Sequence, residues 1–138
     1  MKNFNNLIVL GPLLYAIHHF EEHVVFNFIE WKLKYFNHSA AALSTEAILS
    51  ILVFVIAGFV FLHLVKTNKA SAYIVLYILF TIQIINAIFH IFFSLYFNDF
   101  SPGTITAVLV YLPGNYLIVR AAFREGYLKS YAEYGFIA

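Results

Sequence analysis

The stretch ILSILVFVIAGFVF, residues 48–61, decides the fold class. Ser50 is its one polar side chain, so wound at 3.6 residues per turn it leaves no face for water. A helix that is apolar all round lies in lipid or in the centre of a large core, and 138 residues cannot build a large core around several of them. Composition agrees: 62% of the residues are hydrophobic, 11% are charged, and the mean hydropathy is +0.82. Soluble domains run near ~45–50% apolar and ~25% charged, so the rival class, a soluble bundle, lacks the charges to cover its surface. The 20% aromatic content suits lipid contact and interfacial belts.

Working outward from that stretch, four segments reach the roughly 20 residues needed to cross a bilayer. They are 7–29, closed by Glu30-Trp31-Lys32; 41–65, stopped at Lys66-Thr67-Asn68-Lys69; 72–97, ending at Asn98-Asp99; and 104–119, bounded by Pro102-Gly103 and Arg120. The expectation is an all-α membrane protein, a four-transmembrane-helix bundle forming one domain over 1–138. Its tail, with Arg124, Lys129, Glu133 and three tyrosines, reads as a short interfacial helix. Charges interrupt the N-terminal run and no small-residue cleavage site follows it, so it reads as a retained helix rather than a leader. Lys2, Lys66, Lys69, Arg120, Arg124 and Lys129 fall on one side, and only Lys32 and Lys34 on the other. Both termini are therefore expected in the cytoplasm. The sequon Asn37-His38-Ser39 carries no weight, and His38 and His63 read as interfacial.

A net charge of +1 gives no field for nucleic acid, which is excluded as a partner. Without cysteine, disulfides, thiolate metal sites and thiol nucleophiles are also excluded. Any metal must be held by His, Asp or Glu.

Against this apolar background stands His18-His19-Phe20-Glu21-Glu22-His23, near the middle of the first segment. Each ionisable group in a hydrocarbon core costs on the order of 2.5–3.5 kcal/mol. No Lys or Arg lies inside any segment to pair with Glu21 or Glu22. His18 stands three and four residues before Glu21 and Glu22 and shares their side of a helix; His19 and His23 form a second i, i+4 pair, rotated about 100°. The third segment offers Gln83, Asn86 and His90 along one stripe, and the second offers Glu46. Counted at ~1.5 Å per residue, these groups fall in one layer of the outer half of the membrane. Gln83 and Asn86 also read as plain interhelical hydrogen-bonding groups, and Glu46 as a residue at the start of its helix.

Glu and His projecting inward from facing helices suit a metal. Candidate ligands are His18, Glu21, Glu22, His90 and Glu46, with Glu21 and Glu22 the candidate catalytic carboxylates. Nitrogen and oxygen donors suit zinc or iron, and also manganese. Two His and one or two Glu leave a position open, as in catalytic sites, and Glu46 with the second glutamate would extend the site to two metals. His18, Glu21 and Glu22 rank above His19 and His23.

The residues resemble the HXXEE family of small integral membrane proteins. His18-His19-Phe20-Glu21-Glu22 spells its H-x-x-E-E motif, His90 resembles its second histidine, and Phe100-Ser101-Pro102-Gly103 stands for its Y-x-P-G mark with Phe in place of Tyr. The resemblance covers essentially the whole chain, implies a prokaryotic plasma membrane, and supplies a site without a reaction. His19-Phe20-Glu21-Glu22-His23 also spells H-x-x-E-H, the inverted zincin pattern of a peptidase, which leaves His18 and His90 unexplained.

The first expectation is a metal-dependent membrane hydrolase acting on a lipidic or amphipathic substrate, with iron-dependent oxidation second. The rivals are a proton- or cation-coupled carrier or channel, and a non-catalytic accessory or immunity subunit that docks a partner helix. Membrane lipid is the constant partner, and an oligomer is compatible with the sequence.

Overall fold

The computed structural model describes residues 3–36 and 43–137, and among them every regular element is helical. Lys2, His38, the sequon and the expected start of the second span at Ala41 lie outside the described residues. We number the helices α1 (Asn3–Ile8), α2 (Gly11–Phe20, running into a π turn at Glu21–Val25), α3 (Phe28–Phe36), α4 (Thr45–Val65), α5 (Lys69–Tyr96), α6 (Thr104–Arg124) and α7 (Tyr131–Ile137).

Three of these, α4, α5 and α6, are long and apolar enough to cross a membrane. The expected fourth, 7–29, is not one helix, which corrects the four-span expectation to three clear candidates and a broken segment. Pro12 explains the first break. Lacking an N–H, it cannot bond the carbonyl four residues back, which is Ile8, and α1 ends there; Pro12 instead occupies the first turn of α2. The second break is at Phe26, whose backbone is extended (φ −123°, ψ 175°). Asn27 then bonds the Glu30 amide and starts α3.

The starts of α4 and α5 follow local rules. Ser44 accepts from the Ala47 amide to cap α4, and Asn68 and Ser71 form a reciprocal capping box on α5. Packing then sorts the apolar residues into two sets. Ile56, Val60, Val75, Leu76, Leu79 and Ile118 are buried between helices. Phe54, Leu95 and Leu109, at 76%, 77% and 68% exposure, face outward where water would penalise them. That inverted surface is the signature of a bundle solvated by lipid.

Each of α2, α5 and α6 carries a π turn, at Glu21–Val25, Phe80–Ile84 and Ala107–Tyr111. Such turns add a residue to the helix and recur at functional sites. The one in α6 directly precedes Pro113, whose ring and missing N–H disturb the turn behind it. The expected single stripe on α5 divides. Gln83 points between helices to the Gly11 carbonyl, His90 points to Glu22, and Asn86 lines a cavity.

The two ends of the bundle are pinned in the same way. At one end Lys34 and Tyr35 both bond Asp99, at 2.8 and 2.6 Å, and Tyr35 stacks on Phe97. Lys34 first and then Tyr35 hold the Asp99 carboxyl below the usual range. At the other end Lys69 and Tyr73 bond Glu133 and draw the tail after α6 back onto α5. His63 sits at that end too, fully buried among protein groups, with its ring nitrogens on Ser71 and Asn5. The partners that satisfy it come from two other helices.

Lys69, then Tyr73, hold Glu133 down at about 2 from an ordinary value of 4.5. A depressed folded value means the contact stabilises above pH ~4.5 and is lost as the pH falls through about 2. The protection factor of the Lys129 amide, whose N–H donates to Glu133 at 2.5 Å, should therefore fall across that window. Glu133→Gln should show the lowered protection at neutral pH. A protection factor that is flat across the window would contradict the pin.

Candidate metal centre

The site forms where α2, α5 and the 101–106 turn meet. His18, Glu22 and His90 converge there, all buried, with ligand atoms within 4.8 Å of one another. Glu22 Oε1 lies 3.6 Å from His18 Nε2 and 2.9 Å from His90 Nε2. The i, i+4 spacing on α2 supplies the first pair, and α5 brings His90 across. Both rings are fully buried.

The far side of each ring is held. His18 Nδ1 is 2.7 Å from the Thr106 hydroxyl, and His90 Nδ1 is 2.9 Å from the Ser101 hydroxyl. The Thr106 hydroxyl also reaches the Gly103 carbonyl at 3.3 Å, and a proton on His18 Nδ1 donated to that hydroxyl would leave Nε2 with a lone pair for a ligand. Neither His18 Nε2 nor His90 Nε2 has an aligned hydrogen-bond partner. Metal-binding histidines have this outline, with one nitrogen oriented by a neighbour and the other free.

Glu21, adjacent in sequence, goes elsewhere. Its carboxylate accepts from the backbone N–H of Gly103 (3.2 Å), Ile105 (3.2 Å) and Thr106 (2.6 Å). These are orphan donors at the start of α6, which has no side-chain cap of its own. Glu21 is thus a cap delivered from another helix, with the sign the helix dipole favours. It is not in the ligand group. Gly103 completes the junction at φ +102°, where a Cβ would stand 2.9 Å from both His18 Cε1 and His90 Cε1. Only glycine takes that conformation and that space together.

A second group lies on the other side of Glu22. His19, Glu22 and His23 offer ligand atoms within 4.8 Å, the two rings are 4.3 Å apart, and His23 Nε2 is 3.9 Å from Glu22 Oε2. These three line a cavity of about 740 Å³ whose walls include Ile29, Leu33, Ile48, Leu52, Ile85 and Phe89. The exposed Lys32 and Glu46 line it too. Glu46 therefore faces the cavity without joining either ligand group.

Sequence reasoning missed Tyr111. Its ring is fully buried and stacks on His18 with centroids 4.3 Å apart. The signal was present: Tyr111-Leu112-Pro113-Gly114 spells Y-x-P-G to the letter, which corrects the placement of that mark at 100–103. No tyrosine is lost. Phe100 is an exposed residue ahead of the turn that carries Ser101 and Gly103, and the 100–103 turn serves the site through those two. Gly114 lets α6 approach α2, since a Cβ there would stand 2.7 Å from Leu14. Asn115, one turn beyond Tyr111, donates to the Gln83 carbonyl oxygen at 2.8 Å, and Gln83 donates to Gly11.

A family model described as a protein of unknown function with HXXEE motif matches residues 9–118, a stretch that contains every group of the site. No curated protein and no solved structure matches the chain.

Two substitutions test this geometry. Gly103→Ala should lower the thermal midpoint in detergent well beyond Gly126→Ala. Both positions have positive φ, but nothing stands near Gly126, so the excess measures the clash with the imidazoles. Glu21→Gln keeps one acceptor of two and should cost about 1–3 kcal/mol of stability. Equal midpoints for the two alanine variants, or an unaffected Glu21→Gln protein, would refute the junction described.

Proposed function

The chain belongs to the HXXEE family, and from that premise we propose that it is an integral membrane metalloenzyme, a hydrolase, with His18, Glu22 and His90 as metal ligands. One observation carries the reading. Two buried imidazole Nε2 atoms face one buried carboxylate oxygen, at 3.6 and 2.9 Å, while a hydroxyl lies against the far nitrogen of each ring. Left as a structural device that arrangement is costly, because each ionisable group inside an apolar bundle costs about 2.5–3.5 kcal/mol. As a ligand set it is complete.

Two nitrogens and one carboxylate suit zinc or iron first and manganese next, and leave positions open. A divalent cation bound there supplies Lewis-acid polarisation and a water-derived nucleophile at neutral pH. The protein's own part is to orient His18 and His90, to exclude bulk water, and to keep a carboxylate at the boundary with the cavity. In this reading Glu22 takes the catalytic role, and Glu21 keeps the position of α6. The cavity has the size of a small-molecule site and is largely apolar, with Lys32 and Glu46 as charged groups. An amphipathic substrate entering from the lipid fits that lining. We place both termini and the 66–68 turn on the cytoplasmic side, and the broken 3–36 segment as the remaining membrane-embedded part.

The carrier reading needs titratable groups that continue through the bundle. The groups that continue from Tyr111 are the amides of Asn115 and Gln83, already bonded to each other and to backbone carbonyls. They relay no proton at ordinary pH.

Purified protein should bind a divalent metal stoichiometrically, and His18→Ala, His90→Ala and Glu22→Ala should each lose it from that site. Hydrolysis of amphipathic esters or amides should stop on chelation and return with zinc. Absence of metal, or a metal content that the three substitutions leave unchanged, would sink the reading.

A further inference from the structure

The two oxygens of Glu22 face opposite ways. Oε1 addresses His18 and His90, and Oε2 addresses His23. A carboxylate that served one metal alone would leave the second histidine pair without a purpose. Yet the His19 and His23 rings lie beside each other, tilted at 48° with 4.3 Å between centroids, and His23 is on the side of the oxygen that the first group does not use.

We propose that His19, Glu22 and His23 form a second divalent-cation site, and that Glu22 bridges it to the His18–Glu22–His90 site as a dinuclear centre. This rests on the metal reading above and extends it to residues that reading leaves idle. The donors are two imidazoles and a carboxylate oxygen, the same chemistry as the inner set, so the class of metal is the same. Two-metal hydrolytic centres hold their ions about 3.5–4 Å apart, and that is the separation such a centre would have.

The two sites differ in what reaches them. His18 and His90 are fully buried, and neither lines the cavity. His19, His23 and Glu22 do line it, and the His23 side chain keeps 17% exposure. The outer site is therefore the one a cavity-bound molecule meets, and the inner one stands behind it across a single carboxylate. Two divalent cations bring four positive charges against one from Glu22. Glu46, on the cavity wall, is the nearest further source of negative charge that the lining offers. In this arrangement it balances the outer cation across the cavity rather than binding it.

The double use of α2 falls at its π turn. His19 and His23 bracket the first half of that turn, and Glu21, Glu22 and His23 lie within it. Along this one segment Glu21 serves the 101–106 turn, His18 the inner site, and His19 and His23 the outer site.

The test is metal counting on the full chain in detergent, stripped with chelator and titrated with Zn2+ alone. Wild type should bind two equivalents. His19→Ala and His23→Ala should each keep one, and His18→Ala and His90→Ala should each keep one. Zinc X-ray absorption on the doubly loaded wild type should contain a metal–metal vector at about 3.5–4 Å, a readout independent of any variant's folding. One equivalent in wild type that survives both His19→Ala and His23→Ala overturns the second site and leaves the first reading standing. One equivalent lost with His19→Ala but kept in His18→Ala overturns both the pair and the inner assignment. Zero equivalents overturns the metal reading as a whole. Two equivalents without a metal–metal vector overturns the bridge.

Discussion

Glu21 accepts three backbone N–H groups at the start of α6, and that contact ties the 101–106 turn, with its partners of His18 and His90, to α2. A helix start in an apolar medium has no water to satisfy its orphan donors, so something must be brought to it. Here that something arrives from α2. The same bonds that close α6 bring Thr106 onto His18 and place Gly103 between the two imidazoles. Ser101 follows one turn away on His90. Remove the carboxylate and the hydroxyls behind His18 and His90 lose their frame before His18, Glu22 or His90 is touched. The N-terminus repeats the device, where Glu125 accepts from the Phe4 amide at 2.8 Å and closes α1.

This explains why two adjacent glutamates are kept in an apolar helix. They are chemically identical and one residue apart, yet Glu21 addresses backbone and Glu22 addresses side chains. One holds scaffold and the other carries the candidate chemistry. Their adjacency ties the two tasks together, because the backbone that positions Glu22 is the backbone anchored through Glu21.

Much of this was legible in the sequence and some was not, for physical reasons. The 48–61 stretch gave the solvent, since no arrangement of those side chains suits water. His18, Glu22 and His90 were legible because ionisable groups in apolar helices cost too much to be incidental. The division of labour between Glu21 and Glu22 was not, because it depends on where residues 103–106 lie in space. Tyr111 and its Y-L-P-G string were written plainly and overlooked in favour of a looser match eleven residues earlier. The burial of His63 was not legible, because its partners, Asn5 and Ser71, belong to other helices. The broken first segment was foreshadowed by Pro12, while the break at Phe26 had no comparable signal.

The π turns in α2, α5 and α6 have a consequence for how such a protein can change over time. Each is a phase boundary: an extra residue offsets the two halves of a helix by roughly 100°, so the halves no longer share one facial pattern. On α5 the half before the boundary answers to the apolar packing of Val75, Leu76 and Leu79, and the half after it answers to His90. Substitutions that suit a different bilayer can accumulate in the first half without rotating the second. The boundaries uncouple adaptation to the lipid from preservation of the centre, a freedom that a straight helix with a single register does not have.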